Sequence, residues 1–104
     1  MAHARRKFFD LHAANQSQLA AYALQQIGLL YEIERQVKDL QPAQRQKIRQ
    51  QQAIPILDAF QQWLLAQRQK VPDGSGTAKA IDYSLKRWAA LIRYCEDGKV
   101  PIDN

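Results

Sequence analysis

Apolar residues recur every three or four positions over most of this sequence, and that spacing constrains the fold more than any other feature. One stripe consists of Leu19, Ala23, Ile27, Leu30, Ile33, Val37 and Leu40. A second consists of Ala53, Ile56, Leu57, Phe60, Trp63 and Leu64, and a third of Ile81, Leu85, Trp88, Ile92 and Cys95. Residues at this spacing share one face of an α-helix, so each stripe predicts a helix with a buried apolar face. Because β-branched residues are sparse, strands are not expected.

The first part of the chain predicts two helices. One is expected from Ala2 to about Ala14, and the next from about Ser17 to Asp39. Ser17 is suited to cap the second helix, since a serine side chain can accept a hydrogen bond from a free backbone N–H of the first turn. Gly28 lies inside that helix, where glycine is unfavourable, and we expect it to permit a close helix approach.

Two further helices are predicted in the second part, which makes the chain an all-α, four-helix bundle-like single domain over residues 1–104. Pro42 is suited to the first turn of the third helix. Pro55 lacks a backbone donor and predicts a kink or break in that helix. The polar half before it, residues 43–52, is expected to project into solvent, and we call it the polar arm. After the loop at residues 71–76, a last helix is expected with Thr77 as its amino-terminal cap. It is expected to run to about Cys95 or Glu96, with Gly98 as its carboxyl-terminal cap.

Length and composition exclude several classes of protein. The chain has 104 residues and one cysteine, which excludes a disulfide framework and a cysteine-based zinc finger. No apolar run approaches the roughly 20 residues that cross a bilayer, and no signal-peptide core follows the basic amino terminus. We therefore expect a cytoplasmic protein without a membrane partner.

The chemistry-bearing residues do not form a catalytic set. The segment Gly74–Lys79 lacks the Gly-Lys-Ser/Thr order of a phosphate-binding loop and follows no predicted strand. His3 and His12 are nine positions apart, whereas two zinc-binding histidines on one helix are typically four apart. Cys95 lies on an apolar stripe, as a core residue does. The sequence alone thus predicts neither catalytic residues nor a metal or cofactor site in this chain.

Basic residues form two clusters in a chain of net charge +5. One consists of Arg5, Arg6 and Lys7; the other consists of Arg45, Lys47 and Arg49, interleaved with glutamines. Cations of this kind neutralise phosphates, and glutamine can hydrogen-bond to phosphates or base edges. The clusters indicate DNA contact, and the alternative is an ordinary solvated helix face. Lys86, Arg87 and Arg93 form a weaker third set.

Three stretches resemble motifs of the insertion sequence 66 family of bacterial transposases. The opening stretch is similar to the family's Cys-Trp-Ala-His-Ala-Arg-Arg-Lys-Phe and reads Ala2-His3-Ala4-Arg5-Arg6-Lys7-Phe8-Phe9-Asp10, with Met1 in place of the Trp. The stretch Lys79–Trp88 resembles the family's Lys-Ala-Ile-x-Tyr-x-x-x-Arg-Trp segment. Asp97-Gly98 followed by Ile102-Asp103-Asn104 resembles the approach to a motif of the form Asp-Asn-Asn-x-Ala-Glu-x-x-Ile-Arg-Pro.

The resemblance implies an Asp-Asp-Glu transposase, in which two divalent metals, expected to be Mg²⁺, support DNA strand cleavage and transfer on a ribonuclease-H-like core. By this resemblance the catalytic aspartates precede Met1 and the catalytic glutamate follows Asn104. The chain then resembles the helical segment inserted between the second aspartate and the glutamate, and alone it is expected to be inactive. His3, Arg5 and Arg6 match the motif next to the active site and are expected to assist the metal site or contact DNA.

The sequence therefore predicts a transposase segment that contacts transposon-end DNA or a partner transposase subunit. The expected DNA-contacting residues are His3, Arg5, Arg6, Lys7, Arg45, Lys47 and Arg49. One alternative is a protein–protein interaction module that uses the polar arm before Pro55. Another is a small DNA-binding regulator without enzymatic activity, although no helix-turn-helix signature supports its recognition helix.

Overall fold

A computed structural model describes residues 1–103, and Asn104 lies outside the described residues. Helices α1 (Ala2–Asn15) and α2 (Gln18–Val37) come first. A joined helix follows, made of α3 (Pro42–Ile48), a π-helical segment (Arg49–Ala53) and α4 (Ile54–Arg68). The chain continues with α5 (Gly76–Lys86), α6 (Trp88–Ile92) and a 3₁₀ turn (Arg93–Cys95). Residues 1–103 contain no strand, so the all-α prediction is confirmed.

The predicted apolar stripes form one core. Helix α1 packs on α2 and α5, and α4 packs on both α2 and α5. An aromatic group lies at the centre, with the Phe60 ring centroid 6.5 Å from that of Phe8 and 6.0 Å from that of Trp88. Nine stripe residues are at most 1% exposed, namely Ala23, Ile27, Leu30, Val37, Ala53, Leu57, Leu64, Ile81 and Cys95. Burial of apolar surface therefore holds the helices together.

The turn between α1 and α2 has the predicted capping chemistry. Gln16 adopts a left-handed backbone (φ 51°), and its N–H donates to the carbonyl of His12. The Ser17 hydroxyl accepts a hydrogen bond from the Ala20 N–H at 3.3 Å, as expected of a helix cap. Gly28 differs from the expectation: it is exposed, and a Cβ added there would meet nothing within 4 Å. It therefore permits no close helix approach.

The joined helix does not break at Pro55. Ile54 is α-helical (φ −57°, ψ −47°), and Pro55 lies in the first turn of α4. The irregularity expected from proline takes the form of the π-helical segment that immediately precedes it. A π turn accommodates an extra residue without ending the helix, and the chain is helical from Pro42 to Arg68.

The last predicted helix is divided and differs at both ends. It begins two residues earlier, because Ser75 rather than Thr77 is the cap. The Ser75 hydroxyl accepts a hydrogen bond from the Ala78 N–H at 3.1 Å. It is interrupted at Arg87, whose backbone (φ −109°, ψ 16°) separates α5 from α6. Gly98 is not a helix cap: it lies against Pro42, and a Cβ there would overlap the Pro42 carbonyl oxygen.

Candidate nucleic-acid interface

The basic cluster of α1 faces outward. His3, Arg5, Arg6 and Lys7 are all exposed, because the helix turns Ala4 and Phe8 toward the core. The guanidinium carbons of Arg5 and Arg6 lie 5.9 and 5.4 Å from the centroid of the Phe9 ring.

Arg6 also pairs with Asp10 at 3.1 Å, with 70% of its side chain exposed. An ion pair at that exposure contributes little to stability, because water screens it. The α1 cations therefore remain available to an external anion.

Arg5 borders a cleft of about 440 Å³ that α1, α2 and the carboxyl-terminal segment (residues 96–103) form together. Its lining residues are Ala2, Arg5, Gly28, Tyr31, Arg35 and Asp103. The Tyr31 hydroxyl donates a hydrogen bond to the Asp103 carboxylate. Burial, followed by this carboxylate, raises the pKa of Tyr31 far above its ordinary value, so the phenol stays protonated and acts as donor.

The opening and closing stretches of the chain meet at this cleft. The Met1 nitrogen lies 3.4 Å from the Ile102 carbonyl oxygen, to which it donates. Arg5 and Asp103 thus lie on the same face although 98 positions separate them in the sequence. Tyr31 and Arg35 were not predicted as site residues. Their spacing of four on α2 is the signal that could have placed both beside the cleft.

Arg45 does not project into solvent. Its guanidinium donates to four backbone carbonyl oxygens, at 2.7 Å to Gly98, 2.9 Å to Leu40, 3.2 Å to Lys38 and 3.4 Å to Val37. Three of these carbonyls belong to the end of α2 and the turn after it, where helical hydrogen bonding runs out. The fourth belongs to the carboxyl-terminal segment. Arg45 therefore joins these two parts of the chain.

Arg49 is buried to 2% exposure. It makes a two-pronged ion pair with Glu34, with distances of 2.6 Å from Nη2 to Oε1 and 3.0 Å from Nε to Oε2. Its Nη1 donates to three carbonyl oxygens, at 2.7 Å to Tyr94, 2.9 Å to Val100 and 3.1 Å to Asp97. Arg49 has no exposed donor to offer a phosphate in this structure.

Arg45 and Arg49, which we call the arginine latch, thus occupy positions different from the solvated ones that the sequence suggested. The expectation that the polar arm (residues 43–52) projects into solvent is wrong on the side that carries the latch, whereas Gln44, Lys47 and Gln51 are exposed. Gln46 donates to the Glu96 carbonyl at 2.8 Å, and Gln50 donates to the Cys95 carbonyl at 2.5 Å. Four residues of the polar arm, two arginines and two glutamines, therefore bind backbone carbonyls of residues 94–100.

Lys47 is the member of the second basic cluster that faces solvent. It is exposed and borders an open cleft of about 410 Å³, lined by Leu40, Gln44, Lys47, Ile48 and Gln51. Its position on α3, two residues from each arginine of the latch, turns it away from the carbonyls that they bind. Its contact with a phosphate stays a prediction.

A second basic surface lies where α1 meets α5. The Lys7 ammonium is 5.2 Å from the centroid of the Tyr83 ring, and the guanidinium carbon of Arg87 is 3.9 Å from it. A groove of about 290 Å³ lies beside them, lined by Met1, His3, Ala4, Tyr83, Arg87, Ala90 and Leu91. Of these residues, only His3 and Lys7 were predicted site residues. Tyr83 was missed because a tyrosine at helical spacing does not itself indicate a site.

The remaining candidates for chemistry are structural in this part of the chain. Among residues 1–103, no group of three or more His, Cys, Asp or Glu side chains is placed to hold a metal ion. Cys95 is buried, and burial raises the pKa of its thiol, which disfavours the reactive thiolate. No helix within the described residues has the length and apolar character needed to span a membrane.

Comparisons with known proteins give one family. A family model described as Transposase IS66 family matches residues 1–104. The uncharacterized protein y4hP of Sinorhizobium fredii is 34% identical over 115 residues, which cover 99% of this chain and 21% of that protein. Its relative y4qI from the same organism is 36% identical over 103 residues, which cover 99% of this chain and 19% of that protein.

A third protein of that organism, y4jD, is 32% identical over 104 residues, covering 100% of this chain and 20% of that protein. The chain thus spans about a fifth of the length of the curated relatives it matches. No solved structure matches it.

Proposed function

The chain belongs to the IS66 family of transposases, and from that premise we propose that it is the helical segment that contacts transposon-end DNA in the intact protein. Within the parent enzyme it lies between the second catalytic aspartate and the catalytic glutamate, as the sequence motifs imply. The parent uses a divalent metal, Mg²⁺, for DNA strand cleavage and transfer. A transposase acts where the DNA is, so a cytoplasmic location is part of this proposal.

The position between two catalytic residues is supported by the meeting of the opening and closing stretches. A segment inserted into another domain must leave that domain close to where it entered, and inserted domains commonly have neighbouring ends. Here the Met1 nitrogen and the Ile102 carbonyl are 3.4 Å apart. The opening and closing stretches of this segment therefore lie side by side, as an insertion into another domain requires.

One observation carries the DNA contact: the exposed cations of α1 lie at that same place. Arg5 borders the cleft that also contains Asp103, and Arg6, Lys7 and His3 follow on the exposed side of α1. Arginine and lysine bind phosphates by charge and hydrogen bonding. We assign the DNA backbone contacts to these residues and to Lys47, with Arg45 and Arg49 supporting the fold.

The DNA contact is tested by titrating the chain with duplex DNA over a series of salt concentrations. We expect affinity to fall steeply as salt rises, because bound cations release counterions from the DNA. The double variant Arg5→Ala/Arg6→Ala should bind more weakly and with a shallower salt dependence. The control Lys38→Ala/Lys99→Ala removes the same charge elsewhere and should retain most of the affinity. Absence of binding by the wild-type chain at low salt would contradict the proposal.

The proposal that this segment has no catalytic activity of its own is tested separately. We expect no Mg²⁺-dependent cleavage of end-labelled transposon DNA by this chain, since the catalytic carboxylates lie outside residues 1–103. Cleavage that Mg²⁺ supports and a chelator abolishes would overturn the assignment of this segment as non-catalytic.

Contact with a second transposase subunit is the second candidate, and exposed apolar side chains favour it. Tyr22, Leu29 and Leu65 are each more than 40% exposed. Sedimentation of wild-type chain and of the variant Leu29→Ser at matched concentrations tests it. A self-associating wild type and a monomeric variant would support the contact, whereas a wild type that is monomeric at high concentration would exclude it for this chain.

A further inference from the structure

Two cations from different helices converge on one aromatic ring at the junction of α1 and α5. His3 and Lys7 are four positions apart on α1, and Tyr83 and Arg87 are four positions apart at the end of α5, so each pair lies on one helix face. Because α1 and α5 pack together, the two faces meet along the groove of about 290 Å³. The ring of Tyr83 lies between the two helices and contacts a cation from each.

The charges of this junction are unbalanced. The ion pairs among residues 1–103 involve Arg6, Arg35, Arg49 and Arg68, and neither Lys7 nor Arg87 takes part in one. Arg87 donates to the Tyr83 carbonyl at 3.4 Å, and none of the residues lining the groove is acidic. Holding two like charges together opposes folding. The fold thus keeps a concentrated positive charge at its surface without an internal counter-ion.

We propose that the groove between α1 and α5 binds the phosphodiester backbone of DNA, with Lys7 and Arg87 on phosphates. This proposal rests on the proposed function and adds Arg87 and Tyr83 to its contacts. A phosphate is the counter-ion that the groove lacks, and the guanidinium fork suits phosphate oxygens. Tyr83 acts as a positioning residue: its ring holds both cations before DNA arrives, which lowers the entropy lost on binding.

The test compares Lys7→Ala and Arg87→Ala with Lys99→Ala in a titration with duplex DNA over a salt series. Lys99 is an exposed cation that borders a different cleft, so its removal controls for net charge. Each groove variant should lower the slope of log affinity against log salt by about one, the value for one lost phosphate contact. Lys99→Ala should keep the wild-type slope.

The outcomes separate this inference from the proposed function. If the wild-type chain binds DNA but both groove variants behave like Lys99→Ala, the groove is overturned as the site and the DNA function stands. If the wild-type chain does not bind at low salt, the proposed function fails and the groove proposal fails with it. Thermal unfolding of each variant shows that it is folded, and exposed Lys7 and Arg87 make that the expected result.

The role of the Tyr83 ring is tested by two substitutions. Tyr83→Leu removes the aromatic face and should weaken DNA binding about two- to fivefold, the size of an exposed cation–π interaction. Tyr83→Phe keeps the face and should bind like wild type. Equal affinities of the Leu and Phe variants would overturn the positioning role, whatever the result for Arg87.

Discussion

The arginines of α1 and the arginine latch come from similar stretches of sequence but make opposite use of their charge. Each stretch carries three cations within five positions. In α1 the Arg6 side chain is 70% exposed and that of its partner Asp10 is 60% exposed. In the joined helix the Arg49 side chain is 2% exposed, pairs with Glu34 and donates hydrogen bonds to three carbonyls. The arginines of α1 can bind another molecule, whereas those of the latch bind groups of their own chain.

The difference follows from what lies opposite each helix. After the 3₁₀ turn ends at Cys95, the segment to residue 103 has no regular helix, so its carbonyls lack the partners that a helix provides. Buried carbonyls must find donors. The latch and its neighbouring glutamines supply them. Arg5 of α1 borders the cleft beside Asp103, but Arg5, Arg6 and Lys7 are exposed and donate to no carbonyl of that segment. These cations therefore stay free for phosphates. Clustered charge in a sequence therefore predicts a binding surface only where the backbone nearby is already satisfied.

The largest expected effect is the loss of Arg49. Arg49→Ala leaves Glu34 charged and partly buried, and leaves three carbonyls without their donor. We expect the free energy of unfolding to fall by about 3–5 kcal/mol, the range for breaking a buried ion pair. The matched variant Arg5→Ala should change it by less than about 0.5 kcal/mol. Urea denaturation measures both, and equal effects would erase the distinction between the two regions.

A second expected loss of stability tests the contact between Gly98 and Pro42, beside the Arg45 hydrogen bond to the Gly98 carbonyl. Gly98→Ala places a Cβ onto the Pro42 carbonyl oxygen, so the backbone of the carboxyl-terminal segment must shift. We expect a cost of about 1–3 kcal/mol, as for other overpacked sites. Amide hydrogen exchange should rise within residues 96–102 and remain unchanged within α1. Uniform acceleration along the chain would instead indicate that the segment and α1 form one cooperative unit.

A smaller decrease in the free energy of unfolding is expected at alkaline pH. Burial raises the pKa of both Tyr94 and Cys95, which lie beside the latch. The unfolded chain releases these protons at lower pH than the folded chain. The contribution of these two groups to stability is therefore constant below their ordinary pKa values, 10.0 for Tyr94 and 9.0 for Cys95, and falls as pH rises beyond them. Urea midpoints at about pH 7 and about pH 10.5 measure the fall. Arg6→Ala should keep this profile, and a midpoint independent of pH would contradict the burial.

The smallest expected change is an increase in the free energy of unfolding, at exposed Gly28. Gly28 lies in the middle of α2 with no neighbour within 4 Å of an added Cβ, so Gly28→Ala should stabilise the fold by about 1 kcal/mol through helix propensity. Thermal unfolding measures the gain. Gly28 borders the cleft beside Arg5, so a DNA titration of the same variant shows whether DNA approaches the α2 backbone there. A destabilised variant would mean that α2 is packed at this point.

Much of the fold follows from local sequence chemistry. The apolar stripes, the Ser17 cap and the Pro42 helix start depend on residues within a few positions, and all three predictions are confirmed. The division of the last helix at Arg87 carries no comparable local signal. Pro55 indicates an irregularity in the joined helix but not its π-helical form. An apolar stripe gives the period of a helix but not the residue at which that helix is divided.

The candidate site is less predictable because its geometry depends on distant residues. Arg49 contacts carbonyls 45 to 51 positions away, and a sequence cannot show that those carbonyls arrive unpaired. The exposure of Arg5, Arg6 and Lys7 could be anticipated, since Ala4 and Phe8 occupy the apolar side of α1. The convergence of Lys7 and Arg87 on Tyr83 could not, because it needs the packing of α1 against α5.

The π-helical segment fixes the rotational register of the joined helix. Arg49, Ala53, Leu57, Phe60 and Leu64 are all buried, yet in a regular α-helix this spacing drifts by about 60° over 15 residues. The wider π turn absorbs that drift, so the latch and the core stripe share one face. Because the π turn already holds one extra residue, inserting a further residue among 50–52 would rotate Arg49 by about 100° relative to α4. The length of the glutamine run is therefore constrained even though its individual glutamines are exposed.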